Sequence, residues 1–204
     1  MSINRRSFLL LAANDAHVYE GPGKRTFSEL GYAEDSSAEK RTMPVPVGAG
    51  SPSAFLRRCV GCLKCVSACP SAILRPSTHP RHFGRPALDF RFGWCRPECN
   101  ACAEACPAGA VAKGLGAEQK MRQRTGIAVW HADRCVAATG KDVCNACTRH
   151  CPTQAITLVA REGAAPDAPK VPKVDGTKCM GCGACEYHCP ARPRTAMTVE
   201  GRDD

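Results

Sequence analysis

Cys179-Met180-Gly181-Cys182-Gly183-Ala184-Cys185-Glu186-Tyr187-His188-Cys189-Pro190 is the stretch on which the reading of this chain turns. Its spacing is C-x2-C-x2-C-x3-C-P. Three thiols on one tight loop can cap three irons of a cubane iron–sulfur cluster, and the fourth stands just beyond the loop, before a proline. In two-cluster units that fourth cysteine ligates the other cluster, so such runs are expected in pairs. The chain has four of them. Cys59, Cys62, Cys65, Cys69 and Pro70 repeat the regular spacing. Cys95, Cys99, Cys102, Cys106 and Pro107 widen the first gap by one residue. Cys135, Cys144, Cys147, Cys151 and Pro152 widen it to eight, Val136 to Val143. Together they use all 16 cysteines. The first cysteine recurs roughly every 40 residues, an internal repeat in which each unit is one metal-binding supersecondary element.

The bulk composition agrees. Of 204 residues only 5% are aromatic, while 18 are Gly, 16 Pro and 16 Cys. Such a chain has little with which to build a large apolar core. Metal–thiolate bonds are then part of its folding free energy, and the metal-free chain is expected to be largely unfolded. The formal charge of +9 counts every thiol as neutral. A cubane at about +2 held by four thiolates carries about −2, so four would leave a net charge of roughly +1. The basic balance therefore argues weakly for nucleic acid or acidic lipid. Disulfide frameworks do not require triplets, and zinc sites use two separated C-x2-C pairs per metal. Four triplets, each with a distal Cys-Pro, fit neither.

Taken in order, the chain opens with Met1-Ser2-Ile3-Asn4-Arg5-Arg6-Ser7-Phe8-Leu9-Leu10-Leu11-Ala12-Ala13. Arg5-Arg6-x-Phe8-Leu9 resembles a twin-arginine export signal. Clusters are assembled in the cytoplasm, so an exported cluster protein would have to cross the membrane folded. Asn4 departs from the usual Ser or Thr, and the apolar run Phe8 to Ala13 is short for a signal. The expected location is the periplasm or the outer face of the cytoplasmic membrane, with the cytoplasm as alternative. Nothing approaches the length of a membrane-spanning helix, so membrane association is expected to be peripheral, through a partner. Residues 1–54 read as this segment plus an extended tether draped over a partner or the rest of the chain. Residues 55–204 read as the four-cluster domain.

Within that domain the expected fold class is α+β: repeated units of short strands and helices wrapped around four clusters, with little regular secondary structure. Strands are predicted at Ala87–Phe90, Ile127–Trp130, Ala155–Val159 and Ala196–Val199. Short helices are predicted after each Cys-Pro, because proline suits the first helical position. The Arg-, His- and Pro-rich connection Leu74 to Arg85 reads as a solvated or partner-docking loop. No aromatic stacking platform accompanies it, which disfavours a nucleic-acid surface. Ala164 to Lys173 reads as a Pro-rich surface loop.

Two motifs admit other readings. Cys95-x3-Cys99-x2-Cys102, taken alone, has the spacing of radical enzymes that leave one iron open for S-adenosylmethionine. Here Cys106-Pro107 follows, and a cluster capped by four thiolates has no open iron. In the third motif Cys135 could be a structural thiol beside a three-iron cluster, or could complete a full cubane from its long loop. His150 and His188 each precede a fourth cysteine. There an imidazole could donate to a cluster sulfur, although solvent-facing rings are expected and neither is counted as a ligand. No dinucleotide fingerprint, phosphate loop, nucleophile elbow or H-E-x-x-H is present. No catalytic residues are assigned, and no small-molecule substrate is expected.

From Pro52 to Gly201 the four motifs in order, with the widened gap from Cys135 to Cys144 and Arg5-Arg6 ahead of them, resemble the four-cluster polyferredoxins. That group includes the accessory ferredoxins of periplasmic nitrate reductase and methylamine dehydrogenase systems and the iron–sulfur subunits of molybdopterin oxidoreductases. The resemblance implies single-electron relay between a membrane quinol dehydrogenase or flavoprotein and a terminal oxidoreductase. The alternative is an enzyme subunit that uses one cluster catalytically. The resemblance also implies nested pairing. Cys59, Cys62 and Cys65 would share a cluster with Cys189, and Cys179, Cys182 and Cys185 with Cys69. Likewise Cys95, Cys99 and Cys102 would pair with Cys151, and Cys135, Cys144 and Cys147 with Cys106. Adjacent pairing, first with second and third with fourth, stays open on the sequence.

Overall fold

The computed structural model describes residue 40 and residues 42–78, 82–161, 163, 165 and 168–202. The twin-arginine segment and most of the proposed tether lie outside these residues. Six short helices occur among the described residues: α1 (Pro52–Arg58), α2 (Lys64–Ala68), α3 (Ala101–Glu104), α4 (Ala117–Met121), α5 (Ala146–Arg149) and α6 (Ala184–Tyr187). Six strands accompany them: β1 (Leu74–Pro76), β2 (Pro86–Leu88), β3 (Gly126–Trp130), β4 (Ile156–Val159), β5 (Val171–Val174) and β6 (Met197–Gly201). They form three antiparallel pairs, β1 with β2, β3 with β6 and β4 with β5. The mixture of short helices and strands is as expected. All four predicted strands form, shifted by a residue or two.

The helices fall elsewhere than proline preference places them. None follows a Cys-Pro. Instead α2, α3, α5 and α6 each span the single turn between a third and a fourth cysteine. After Cys69, Cys106 and Cys151 the chain makes a turn in which the third residue on, Ala72, Gly109 or Gln154, has φ between 50° and 61°. Each proline serves that turn, which after Cys69 and Cys151 aims the chain into the following strand and after Cys106 brings Ala112 to the Gly48 carbonyl. A helix started there would carry it away from the sheet. Two strands lie in stretches read as loop. Leu74–Pro76 opens the Arg- and Pro-rich connection, and Val171–Val174 closes the Pro-rich one. A two-stranded ladder has two open edges, so the prolines at 76, 86 and 172 cost few hydrogen bonds.

The strands explain how the motifs meet. β1 follows the first motif and β2 precedes the second, with Leu74 opposite Leu88. In the second half, β3 precedes motif three and pairs with β6, which follows motif four. β4 follows motif three and pairs with β5, which precedes motif four. Motifs three and four are thus related by an approximate two-fold axis. In the first half the place of the outer strand pair is taken by residues 42–49. The Ala112 N–H donates to the Gly48 carbonyl at 2.9 Å, Leu88 to Pro44 at 2.9 Å, and Gly201 to Thr42 at 2.8 Å.

Met43, Val45, Val47 and Ala49 of this strap are buried. It reaches into two apolar clusters, Val45 beside Phe55, Ala103 and Val111, Val47 beside Met180, Cys182 and Ala184. The sequence places these residues in the tether. They are draped over the domain so closely that the line between 54 and 55 marks no edge of the packing. The strap is also pinned at Lys40, whose ammonium lies 3.0 Å from the Glu186 carboxylate, both side chains almost wholly buried. Glu186 also accepts from the Val199 N–H at 2.7 Å.

Two glycines of the fourth motif allow close approaches, Gly183 to the first half and Gly181 to β3 within the second. Gly183 has φ of +80° and lies under Phe90, so a Cβ there would stand 2.0 Å from the ring; one on Gly181 would stand 2.7 Å from the Gly126 backbone. Gly183→Ala should therefore combine a left-handed backbone penalty with an overpacked aromatic joint, together roughly 2–4 kcal/mol. The expected outcome is loss of tertiary signal at a clearly lower urea concentration than in the unsubstituted chain.

Candidate metal centres

In each motif the third cysteine is the second residue of a one-turn helix: Cys65, Cys102, Cys147 and Cys185. The fourth follows the turn on non-helical backbone, as at Cys69 with φ −75° and ψ 109°. A continuing helix would stack positions i and i+4 on one face. Ending it after one turn swings the fourth thiol away from its own triplet, towards the neighbouring motif.

The structure brings the thiols together in four groups of four. Cys65 lies with Cys59, Cys62 and Cys106; Cys59 and Cys106 pack on the same apolar cluster. Cys95 and Cys102 lie with Cys99 and Cys69. Cys147 faces Cys144 and Cys189, and Cys135 joins Cys144 and Cys189 around Ala137 and Ala196. Cys179, Cys182 and Cys185 surround Cys151. We label these groups I to IV by their triplets. All sixteen are free thiols.

The nested pairing is therefore corrected. Cys69 stands beside Cys95 and Cys102, not beside the fourth triplet, and Cys151 serves the fourth, not the second. The reason is local. The β1–β2 pair returns the chain directly from motif one to motif two, and α2 packs on α3. The paired strands β3–β6 and β4–β5 do the same for motifs three and four, with α5 on α6. The gap after Cys135 is accommodated by a turn in which Thr139 N–H donates to the Cys135 carbonyl at 2.9 Å.

Group order in space differs from order in sequence. Groups I and II share their boundary through Cys65, Cys69 and Cys102. Groups II and IV meet where the Cys95 N–H donates to the Cys182 carbonyl at 2.8 Å. Groups IV and III meet through α5 and α6. The sequence of neighbours is I–II–IV–III. Group IV is buried at all three triplet cysteines, whereas Cys62 of group I is exposed. Beside the outer groups, Val60 is 69% and Val143 80% exposed.

The donor chemistry fits iron–sulfur clusters. Burial pushes the Cys65 and Cys147 thiols up to about 11 and Cys102 and Cys182 up to about 12, with Cys185 well raised. At neutral pH such thiols are protonated, and only a bound cation makes them thiolates. Backbone donors face two of the fourth cysteines: the Ala155 N–H points at Cys151 Sγ and the Ala196 N–H at Cys189 Sγ, both at 3.3 Å. Among the described residues the buried Trp130 Nε1 finds no acceptor, yet Trp130 packs on the apolar cluster that contains Cys135 and Cys189. Among the described residues no three Cys, His, Asp or Glu side chains close on a single metal ion. Thiolates on one zinc converge on bonds of about 2.3 Å; a cubane, with its cage of irons and sulfides between them, holds them further apart.

His150 and His188 are not separately solvated. Their rings stack face to face, centroids 3.7 Å apart, across the two-fold axis that relates Cys151 to Cys189. His150 Nδ1 lies 2.9 Å from the Ala146 carbonyl oxygen. Partial burial, then His150 and Arg149, holds the His188 imidazole below its usual value. The sequence reading also missed Lys120, a fully buried lysine whose ammonium donates to the Arg96 carbonyl at 3.0 Å and to that of Cys99. Nothing in Ala117–Met121 marks this helix as part of a metal centre; only its packing does.

Two stretches, 58–110 and 142–192, match the model of the 4Fe-4S dicluster domain. Each spans two adjacent motifs, in agreement with the grouping, although Cys135 precedes the second match. The chain is 35% identical over 142 residues to the methylamine utilization ferredoxin-type protein MauM of Methylophilus methylotrophus, covering 67% of this chain and 61% of the relative. It is 31% identical over 187 residues to the ferredoxin-type protein NapG of Haemophilus influenzae, covering 87% and 64%. Against MauM of Methylorubrum extorquens the identity is 33% over 155 residues, 74% and 69% of the two chains. The chain thus spans a little over three fifths of the length of the first of these relatives.

The grouping has a direct test. Cys69→Ser and Cys99→Ser should perturb the same iron–sulfur signal, and the double variant should lose no more than one cluster's worth, about four irons. Under nesting, Cys69→Ser would disturb a second, separate centre, and the double variant would lose about eight.

Proposed function

The chain belongs to the 4Fe-4S dicluster ferredoxin family, and from that premise we propose that it relays single electrons through four [4Fe-4S] clusters, one in each thiol group. A bound cubane supplies one-electron exchange at a potential tuned by burial, charge and hydrogen bonds to sulfur. The observation that carries the proposal is the convergence of all sixteen cysteines into four complete donor sets, each borrowing its last thiol from a neighbour.

The proposed ligands are Cys59, Cys62, Cys65 and Cys106; Cys95, Cys99, Cys102 and Cys69; Cys135, Cys144, Cys147 and Cys189; Cys179, Cys182, Cys185 and Cys151. The remaining residues hold these sets dry and in series. Ile73, Leu74, Leu88, Phe90, Ala155, Ile156, Met197 and Val199 form the apolar body between them. Group IV is buried at its three triplet cysteines and partly buried at Cys151, and groups I and III terminate the series. Redox partners then dock at the ends, near Val60 and Cys62 or near Val143. In keeping with the resemblance of its four motifs to the polyferredoxins, the proposed donor is a membrane quinol dehydrogenase or flavoprotein and the proposed acceptor a terminal oxidoreductase. No helix of the described residues is long and apolar enough to cross a membrane; membrane association is proposed to run through the donor.

Two measurements test this reading. Anaerobically isolated protein should contain about sixteen irons and sixteen sulfides per chain; twelve or fewer of each would defeat the four-cluster proposal. For location, residues 1–55 fused to a reporter active only outside the cytoplasm should be exported with Arg5 and Arg6 intact and retained when both are Lys. Retention of both fusions would move the partner search to cytoplasmic oxidoreductases.

A further inference from the structure

Basic side chains bond to backbone beside every thiol group. Arg85 donates to the Leu56 and Cys59 carbonyls beside group I. Arg192 donates to those of Cys189 and Ala191 beside group III. Arg202 donates to Gly176 beside group IV and favours the Cys179 thiolate. These three are partly or largely exposed, and water screens them. Lys120, at group II, is 1% exposed.

Its surroundings contain no counter-charge of the usual kind. Glu118, on the same helix, faces solvent and pairs with Arg122. Among the described residues no carboxylate pairs with the Lys120 ammonium. Its neighbours are the Arg96 and Cys99 carbonyls and the thiols of Cys95 and Cys102, both of which it draws towards ionisation. A bare ammonium is expensive to bury and persists only where an anion compensates it. The anion on offer is the thiolate-bound cluster, with its net negative charge. Group IV is the contrast. Its nearest buried charges, Glu186 and Lys40, neutralise each other at 3.0 Å, and the carboxylate lies next to Cys185.

We infer that Lys120 is the charge-setting residue of this electron chain, holding the group II cluster at the highest potential of the four. Reduction adds a negative charge. An unscreened cation against the thiolates of one cluster favours that reduced state more than screened guanidinium groups favour theirs. Electrons therefore rest on group II, between exposed group I and enclosed group IV. Lys120 acts through the thiolates and is a positioning residue, not a ligand. The inference rests on the four-cluster reading above.

The test is an anaerobic potentiometric titration of the complete chain, followed by electron paramagnetic resonance. Cys99→Ser marks group II: the signal it moves or removes should be the one that appears first on reduction. Lys120→Gln, which keeps a hydrogen-bonding side chain without the charge, should lower that midpoint so that this cluster is no longer reduced first, leaving the other three in place. Lys120→Arg should keep the original order. Iron content separates the two levels of failure. Fewer than about sixteen irons in the unsubstituted protein overturns the four-cluster reading. With the iron complete, a first-reduced signal that Cys99→Ser does not touch, or an order unchanged in iron-complete Lys120→Gln, overturns the role of Lys120. If Lys120→Gln loses iron, the Cys99→Ser assignment still decides.

Discussion

Everything in this structure depends on burying thiols that cannot ionise alone. A buried cysteine is a small apolar group while protonated and a costly anion when not. The sixteen cysteines form four adjoining groups, seven of them are buried, and burial raises Cys102 and Cys182 to about 12. The walls are correspondingly small: Ala103, Ala110, Ala128, Ala155, Ala184, Ala191 and Ala196 are all buried. Among the described residues two phenylalanines are fully buried, Phe55 and Phe90, and they occupy joints between elements. Such a core owes its cohesion to metal–thiolate bonds more than to apolar area, which follows from its composition.

The same dependence shapes the topology. A one-turn helix between the third and fourth cysteines is too short to be stable alone. Each such helix instead leans on its partner, α2 on α3 and α5 on α6, and each sends its fourth thiol across to that partner's group. Neither member of a pair has a complete donor set without the other. Pairing neighbours in sequence keeps the closing loops short, and loop closure costs less when the ends are near along the chain. The strap at residues 42–49 extends this logic. It supplies the first half with the edge that β3 and β6 supply to the second, and Thr42 bonds Gly201 across to the second half.

Much of this was legible in the sequence. The motif Cys179 to Pro190 carries its own geometry, and the β-branched and alternating runs at 127–130 and 155–159 announce strands. What was not legible is of two kinds. Pro70, Pro107 and Pro152 suit either a helix start or a tight turn, and only the sheet that follows decides. Residues whose role is set by distant packing leave no local mark: Lys40 meets Glu186 across 146 positions, Lys120 returns to Cys99, and His150 meets His188 through an axis that no spacing reveals. The nesting failed for the same reason. Regular spacing in the outer motifs describes their loops, whereas pairing is written in the strands between them.

Two buried lysines show how one residue type serves opposite ends here. Lys40 is neutralised within the protein. Its pair with Glu186, shared with the Val199 N–H, ties the strap to the helix that carries Cys185, and either partner left alone would be an uncompensated charge costing about 3–5 kcal/mol. Among the described residues Lys120 has no carboxylate partner. Its ammonium donates to the Arg96 and Cys99 carbonyls, and on the four-cluster reading its remaining compensation is the thiolate charge of group II. Met121, on the same helix, packs beside Met180 and Cys182, so α4 lies between the second and fourth thiol groups, in the middle of the series.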